Sequence, residues 1–459
     1  MRNLALTAIA ASLLVAPAAA QDNPWQPQAF VQIEHPEWSR DAVLYQINTR
    51  HFTPEGTFAA AERELPRLRE LGVDILWLMP IHPIGDVNRK GALGSPYSVQ
   101  DYYAVNPEFG TKETFRSFVD AAHAQGFHVI LDLVANHTAW DNALASEHPD
   151  WYEKTWDGDF RPTPWWDWSD IIDLDWSQPG VRQHLGEAME YWVREFGVDG
   201  YRADVAGYVP VDFWETMRAR LDAIRPVFML GEVQQTSYHR ASFDATYAWD
   251  WHNTSKNVAH GDGNAMSFFG YYAENESLWP RKAMRMTYIE NHDSNAWEGT
   301  MEENYGAALE AMTALSFAGE GLPLIHNGME ACNAKRLEFF ERDPIEWGQN
   351  PDCTYGELLR DLIAFRTDNP ALHNGEWGAR MHQVANSAPE QMFAFVRQQD
   401  GNKVVGLFNM SDKPVEATLA DGLAAGNYTE FRGDAVTLAA GDTVALPAWG
   451  FRLLSSGGE

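Results

Sequence analysis

The chain has 459 residues, 45% of them hydrophobic, which is enough for two or three domains with a large core. Its 65 acidic and 34 basic residues give a formal net charge of −31. That charge argues against nucleic acid and anionic membrane surfaces as partners, whereas a neutral substrate is compatible with it.

The start of the chain has the pattern of a secretory signal peptide, predicted over residues 1–20. Arg2 precedes a short apolar run over 4–15, and three alanines at 18–20 form a small-residue cleavage site. The run is too short for a membrane-spanning anchor. We therefore expect an exported protein, located in the periplasm or outside the cell, with no membrane anchor.

The chain contains only two cysteines, Cys332 and Cys353. An exported protein meets an oxidising compartment, in which such a pair can form a disulfide. The spacing fits a disulfide and two free buried thiols equally well, because it does not show whether the two Cα atoms approach each other.

From residue 41 onward, short apolar runs alternate with helical patterns. The predicted strands cover 42–48, 73–79, 127–134, 198–204, 227–233, 243–249, 285–291 and 322–328. The predicted helices cover 58–71, 112–125, 179–197, 212–224, 304–318 and 355–367. Such alternation with near-continuous apolar strands implies a parallel sheet covered on both faces. Eight units of this kind predict an α/β fold, a (β/α)8 TIM barrel.

The barrel pattern is interrupted once and then ends. The segment 138–178 follows the third strand, is too long for a simple loop and predicts a small inserted subdomain. It carries seven of the 19 tryptophans, whose flat faces suit sugar rings as well as a core. Beyond the barrel, alternating short strands with Gly, Asp and Asn turns predict a C-terminal antiparallel β-domain. We thus assign 21–137 and 179–372 to the barrel and 373–459 to the β-domain.

Polar side chains gather at the carboxyl ends of the predicted strands, where barrel enzymes place their active sites. The set comprises Asp132, Asn136, His137, Arg202, Asp204, Glu232, Asn291, His292 and Asp293, with Tyr97 and Asp101 in the loop after the second strand. Arg202 and Asp204 point to one face because strand side chains alternate with a period of two. Any one of these residues could be a cap or a structural ion pair, but five strand ends together indicate a site.

Two carboxylates on one rim suggest glycoside hydrolysis. One carboxylate attacks the anomeric carbon, and the other protonates the leaving oxygen and later activates water. Asp204 fits the first role, because the neighbouring Arg202 would lower its pKa and keep it ionised. Glu232 fits the second role, in which the acid must hold its proton near neutrality.

Four segments, in this order and spacing, resemble the signature regions of the α-amylase family of glycoside hydrolases. They are DLVANH (132–137), GYRADVA (200–206), GEV (231–233) and ENHD (290–293). The resemblance covers roughly residues 41–370 and implies a retaining mechanism on α-glucosidic bonds. It makes Asp204 the nucleophile, Glu232 the acid/base and Asp293 the third carboxylate, which binds sugar hydroxyls and helps to distort the ring.

The same resemblance assigns residues that contact the sugar. His137 and His292 would hydrogen-bond the sugar that Tyr97 stacks on, and Arg202 would orient Asp204. No cofactor is required for this chemistry. The family often binds structural calcium through the asparagine of the first region and an aspartate that closes the inserted subdomain, and Asn136 and Asp175 occupy those places. Two ligands do not make a calcium site, and we favour a role for Asn136 in pinning its loop.

One segment departs from the better-known α-amylases. These usually have a Lys-His pair shortly after the nucleophile, on the leaving-group side, where this chain has Ala206, Gly207 and Tyr208. The four signature segments nevertheless make cleavage of α-1,4-glucosidic bonds in starch-type glucans or maltooligosaccharides the expected function. A cyclomaltodextrinase, an α-glucosidase or an α-glucosyl transferase of the same family are the alternatives. An inactive glucan-binding protein is disfavoured, because such a relic would have little reason to hold all three carboxylates.

Overall fold

A computed structural model describes residues 29–420 and 422–457, so the predicted signal peptide lies outside the described residues. Up to the end of the barrel, the strands are β1 (Leu44–Ile47), β2 (Ile75–Leu78), β3 (His128–Val134), β4 (His137–Ala139), β5 (Ile171–Asp173), β6 (Gly200–Asp204), β7 (Phe228–Gly231), β8 (Ala245–Tyr247), β9 (Met284–Tyr288) and β10 (Leu322–His326). Eight of them pair in parallel and close a barrel in the order β1-β2-β3-β6-β7-β8-β9-β10. The predicted (β/α)8 barrel is thereby confirmed.

The inward-facing side chains of the barrel change character along each strand. Lower positions are apolar and buried, such as Leu44, Ile130 and Leu324. Two residues further along the same strands, Gln46, Asp132 and His326 follow on the inner face, because side chains alternate with a period of two. The barrel therefore has an apolar floor under a polar upper layer at the carboxyl ends of its strands.

The helices are α1 (Thr49–Phe52), α2 (Phe58–Leu71), α3 (Lys112–Ala124), α4 (Ala143–Glu147), α5 (Pro179–Phe196), α6 (Val211–Asp222), α7 (Trp249–Ala259), α8 (Ala265–Leu278), α9 (Met301–Tyr305), α10 (Leu309–Ala318) and α11 (Tyr355–Thr367). Helix α2 has the bounds that the sequence pattern predicted, because both of its ends carry capping residues. The side chain of Thr57 accepts a hydrogen bond from the Ala60 amide, and Gly72 ends the helix with φ 98°.

Two features of the helical layer differ from the prediction. The helix expected over 304–318 is divided into α9, a 3-10 turn at Gly306–Ala308 and α10. Helices α7 and α8 were not predicted. Helix α8 is apolar on more than one face, because Phe268 and Tyr272 pack against Phe393 of the C-terminal strands, with ring centroids 5.6 and 5.7 Å apart. A helix buried on several sides loses the one-sided stripe by which helices are recognised.

The remaining chain forms the inserted segment and the C-terminal domain. In the inserted segment, β4 and β5 pair antiparallel, with α4 between them. The C-terminal strands are β11 (Met381–Gln383), β12 (Met392–Gln399), β13 (Asn402–Asn409), β14 (Val415–Thr418), β15 (Gly426–Glu430), β16 (Ala435–Leu438), β17 (Thr443–Leu446) and β18 (Phe451–Ser456). They form a six-stranded antiparallel sheet and a β14–β17 pair. The expected C-terminal β-domain is present, and the residue-level boundaries stay predictions.

Cys332 and Cys353 form a disulfide, which decides between the two alternatives left open by their spacing. The bond closes the long loop between β10 and α11. The same loop is also held by the Lys335–Asp343 ion pair and by a hydrogen bond of 2.8 Å from the Leu337 amide to Asn295. Its tip carries Phe339 and Phe340, whose rings reach the cavity described below.

Replacing both cysteines by serine is expected to lower the free energy of unfolding by roughly 3 kcal/mol, because the unfolded chain gains the freedom of a loop of about 20 residues. The bond joins residues 21 positions apart. Denaturation with and without a reductant would measure the loss. The reductant should not change the free energy of unfolding of the double serine variant. If it also left that of the wild type unchanged, the expectation would be contradicted.

Candidate active site

Four strand ends deliver the predicted polar residues to one cavity of about 560 Å³. Its lining residues are Lys90, Ser95, Tyr97, His137, Trp166, Asp167, Trp168, Asp170, Ile171, Asp204, Val205, Glu232, His292, Asp293, Trp297, Phe339 and Phe340. All three predicted carboxylates and three of the four predicted sugar contacts are among them. The fourth, Arg202, lies beneath the cavity and is fully buried.

Arg202 is the centre of the charge network. Its Nη1 atom lies 2.8 Å from Asp132 and 2.9 Å from Asp204, and its Nη2 atom lies 2.9 Å from Glu232. Its Nε atom donates to the hydroxyl of Tyr247 at 3.3 Å. One fixed guanidinium therefore holds the two proposed catalytic carboxyl groups on neighbouring strands beside each other.

A second contact joins the two carboxyl groups through the backbone. The Val205 amide, directly after Asp204, donates to Oε2 of Glu232 at 2.7 Å. Val205 has φ 36° and ψ 47°, a left-handed conformation that is unfavourable for a β-branched residue. Strain of this kind, about 1–3 kcal/mol, persists where the surroundings over-determine it. Here the turn aims a backbone donor at Glu232, a role that the sequence did not reveal.

Tyr97 and His292 form one wall of the cavity. The Tyr97 hydroxyl lies 2.9 Å from Asp132 and 2.8 Å from Nε2 of His292, and the two rings stack with centroids 5.5 Å apart. Gln46, at the end of β1, contacts Nδ1 of His292 at 2.7 Å and accepts from its amide at 3.1 Å. Burial lowers the pKa of His292 well below its usual value, so its imidazole is neutral. Gln46 was missed, although an inward glutamine at a barrel strand end was a usable signal.

His137 lies on the other side, where the inserted segment begins. It is buried, and burial lowers its pKa to about 4, so it is also neutral at physiological pH. Its neighbour Asn136 donates from Nδ2 to Asp173 at 3.1 Å and to Thr163 at 3.2 Å. Asn136 therefore ties β3 to β5, which is the loop-pinning role that we favoured.

The side chains suggested for calcium, those of Asn136 and Asp175, have different hydrogen-bond partners. Asp175 accepts hydrogen bonds from the Ser177 amide and the Gln178 side chain at the start of α5, whereas the acidic partner of Asn136 is Asp173. Asp173 in turn already receives the Thr163 hydroxyl. Within residues 29–420 and 422–457, no group of three or more His, Cys, Asp or Glu side chains is placed to hold a metal ion. These oxygens do not fit a calcium shell of six to eight ligands.

The carboxyl groups of the site influence one another. Burial raises the pKa of Asp204 well above its usual value, with Glu232, Asp132 and Asp293 adding to the effect, while Arg202 lowers it. Arg202 lowers the pKa of Asp204, as expected, but burial and the neighbouring carboxyl groups outweigh it, so the net pKa is raised. The reason is that one guanidinium is shared among several carboxyl groups, so its charge cannot offset both burial and like charges.

Asp293 shows the same effect of burial and like charge. Burial, and then Glu232, raise its pKa to about 7, although 45% of its side chain is exposed to the cavity. A raised pKa in the folded state contributes stability below the unfolded value near 3.8, and this contribution is lost as the pH rises through about 7. Asp293 consequently makes the folded state less stable at alkaline pH than at acidic pH.

Asp293→Asn is expected to melt about 1–2 °C higher than the wild type at alkaline pH, because the amide cannot ionise beside Glu232. The difference should shrink as the pH falls through the window between about 7 and 3.8. Melting curves across that range would measure it. Asp157→Asn, in the exposed part of the inserted segment, is the matched control. A constant offset for Asp293→Asn at every pH would contradict the explanation.

Some of the predicted tryptophans line the cavity, whereas others do not. Trp166 and Trp168 stack with centroids 5.4 Å apart, and Nε1 of Trp166 donates to the Tyr208 hydroxyl at 2.9 Å. Trp156 and Trp165 are fully exposed outside the cavity. Trp176 is buried in the core, where its ring packs against Phe213 at 4.5 Å.

A parallel barrel whose rim presents paired carboxyl groups, a shared arginine and aromatic walls has the parts that a glycosidase needs. The sequence model of the α-amylase catalytic domain matches residues 27–352 of this chain. The chain therefore belongs to the α-amylase family of glycoside hydrolases. No helix within the described part of the chain is both long and apolar enough to cross a membrane.

Similar proteins carry amylase names. The α-amylase MalA of Haloarcula japonica is 29% identical over 90% of this chain, which spans 62% of that relative's length. A crystal structure of an α-amylase from Lactobacillus plantarum superposes with a TM-score of 0.81 at 29% identity, over 92% of this chain and all of that one. A noncanonic maltogenic α-amylase from Thermotoga neapolitana also gives 0.81, at 28% identity, over 90% of this chain and 99% of that chain.

Proposed function

We propose that the enzyme hydrolyses α-1,4-glucosidic bonds of starch-type glucans or maltooligosaccharides with retention of configuration. The observation that carries the proposal is the contact of Arg202 with both Asp204 and Glu232. Carboxyl groups held beside one guanidinium suit the short separation of a retaining pair. The amylase and maltogenic amylase names of the similar proteins support an α-glucan substrate.

In the first step, Asp204 attacks the anomeric carbon, the bond to the leaving oxygen breaks, and Glu232 gives that oxygen its proton. In the second step, water attacks the same carbon, Glu232 takes a proton from it, and the Asp204 carboxylate leaves. Asp293, His137 and His292 hydrogen-bond the reacting sugar, and its face rests on Tyr97. The neutral imidazoles can do this without competing with Arg202 for the carboxylates.

Each step needs a different charge on the same groups. Asp204 must be ionised to attack, and Arg202, 2.9 Å away, favours the ionised form. Glu232 receives the Val205 amide on Oε2, the oxygen that also faces Arg202. That leaves the other oxygen, Oε1, as the one that carries the proton to the leaving group.

The test is a product profile from starch, maltotriose, a cyclodextrin and trehalose, separated by chromatography, with proton NMR of the first product. Release of maltooligosaccharides or glucose from starch or maltotriose with the α-anomer formed first would support the proposal. Initial formation of the β-anomer would contradict the retaining mechanism. Products longer than the substrate would favour a glucosyl transferase, and a preference for cyclodextrin over starch would favour a cyclomaltodextrinase.

We also propose that the protein is exported. The signal-peptide pattern of residues 1–20 motivates this, and the Cys332–Cys353 disulfide supports it, because such bonds persist in oxidising compartments. Cell fractionation with an antibody against the chain, together with the N-terminal sequence of the mature protein, is the test. An uncleaved chain retained in the cytoplasm would contradict the proposal.

A further inference from the structure

We infer that one end of the cavity is closed, so that the enzyme cuts glucans from their non-reducing ends and does not cut inside a chain. The closing group is Lys90, which joins the loop after β2 to the inserted segment. This inference rests on the proposed function and narrows it, because it names chain ends and short oligosaccharides as the substrate class.

The contacts of Glu232 identify the leaving-group end of the cavity. The acid/base must lie between the reacting sugar and the leaving group, so the leaving group occupies the side of Glu232. On that side, the Val205 amide binds Glu232 at 2.7 Å, and the following turn presents Tyr208. Tyr208 is half exposed and accepts the indole N–H of Trp166. The leaving-group side therefore presents exposed aromatic side chains on which a further sugar can rest.

The contacts of Tyr97 identify the opposite end, which receives the non-reducing part of the substrate. Phe339 stacks on Tyr97 with centroids 6.1 Å apart and an interplanar angle of 13°. Phe340 packs edge-on against Phe339 at 5.3 Å, and Trp297 lies 5.4 Å from Phe339. We call Lys90, Asp167, Asp170, Phe339 and Phe340 the donor wall.

Lys90 spans the donor wall from one element to another. Its Nζ atom contacts the backbone oxygen of Asp167, and it lies 3.6 Å from the Asp167 carboxylate and 3.8 Å from that of Asp170. The ammonium group also lies 5.9 Å from the centre of the Phe340 ring. The Asp170 side chain is buried whereas that of Asp167 is exposed, so the contact with Asp170 is the one shielded from water. Three separate chain segments therefore meet at this one ammonium group.

The loops behind Lys90 are locked together. The Leu93 amide donates to the Phe340 carbonyl at 3.1 Å, and the Ala92 amide donates to Oε1 of Glu341 at 2.6 Å. At Gly91, a Cβ atom would lie 2.6 Å from Cβ of Phe340, so only glycine allows this approach. The loops behind Lys90 are consequently held by backbone contacts, and the Lys90 side chain extends from this fixed base.

A closed end restricts which part of a glucan can react. An internal segment must extend beyond the reacting sugar in both directions, and the donor wall stands across one of them. A chain end needs no such passage, so its terminal sugar can rest against Lys90 and Phe340. The hydroxyl groups of that sugar would then meet the carboxylates and the ammonium group of the donor wall.

The experiment compares two forms of a nitrophenyl maltoheptaoside, one free and one with an ethylidene group on its non-reducing end. Chromatography follows the loss of each substrate with the full wild-type chain. We expect the blocked form to react at least about tenfold more slowly, because the added group meets a packed wall. Equal rates on both would overturn the closed end and leave the proposed function intact. No reaction on either would overturn both.

Variants of Lys90 test the residue itself. Lys90→Ala should raise the ratio of blocked to free rates at least about threefold, whereas Lys90→Arg should stay nearer the wild-type ratio, because it keeps the positive charge and a long side chain. Lys154→Ala is the matched control, since Lys154 lies over the Phe160 ring of the same inserted segment and does not line the cavity. An unchanged ratio in a folded Lys90→Ala protein would remove Lys90 from this role.

Discussion

Glu232→Gln is expected to lower kcat by about 10³-fold or more while the Kd for a maltooligosaccharide stays within a few-fold of the wild-type value. The amide has nearly the shape of the carboxyl group and can still accept the Val205 N–H and the Arg202 contact. Its N–H protons are too weakly acidic to protonate the leaving oxygen, and the neutral amide is too weak a base to take a proton from water. Binding and chemistry should therefore separate in this variant.

Two measurements check the separation. Calorimetric titration of the variant with a maltooligosaccharide gives the Kd, and chromatography gives the rate. Glu215→Gln serves as the control, because Glu215 forms an exposed pair with Arg240 and lies outside the cavity. A substrate whose leaving group needs no protonation, such as an α-glucosyl fluoride, should recover much of the first-step rate. A Glu232→Gln enzyme with near wild-type turnover on maltotriose would exclude Glu232 as the acid/base.

The barrel was predictable because its strands and helices obey strong local rules. Helix α11 begins and ends where its pattern predicted, and α2 lies between a threonine cap and a left-handed glycine. The helices between β8 and β9 were not predictable in this way. Their buried faces are shared between the barrel and the C-terminal sheet, so the apolar pattern of α8 has no single side. A short stretch of sequence does not show such tertiary contacts, so it does not predict a helix that depends on them.

The candidate site, like the fold, has features that local sequence patterns predict and features that depend on distant contacts. The strand ends brought Asp204, Glu232 and Asp293 to one cavity because period-two alternation and parallel pairing fix that rim. What could not be predicted depends on distant segments meeting. Lys90 reaches Asp170 across 80 residues, and the left-handed turn at Val205 follows from the contact with Glu232 rather than from the valine itself.

The pKa of Asp204 is the clearest case of a quantity that residue types alone do not give. The adjacent Arg202 predicted a lowered pKa, but the structure shows the same guanidinium also contacting Asp132 and Glu232. Asp132, Asp204, Glu232 and Asp293 surround one cation, and ionising all four in a buried site costs free energy. The raised pKa values of Asp204 and Asp293 follow from this crowding.

Asp204→Asn is expected to abolish turnover, with a loss of about 10⁴-fold or more, because a neutral amide cannot form the glycosyl ester of the first step. The fold should tolerate the change. The amide oxygen can still accept from Nη1 of Arg202, and one member of a crowded carboxyl cluster loses its charge. A melting temperature at or above that of the wild type near neutral pH would show that the loss is chemical and not structural.

Covalent trapping distinguishes a nucleophile from a carboxylate that only binds sugar. An α-glucosyl fluoride carrying a second fluorine on the ring should release fluoride and form a glycosyl ester with Asp204 that hydrolyses slowly, so the wild type should gain the mass of one fluoroglucosyl group. Peptide mapping should place that mass on the segment containing Asp204. Asp204→Asn should gain none, whereas Asp212→Asn, at an exposed ion pair with Arg182, should label like the wild type. Labelling of Asp293 in place of Asp204 would reverse the two assignments, because both carboxyl groups face the same cavity and only the nucleophile forms a bond.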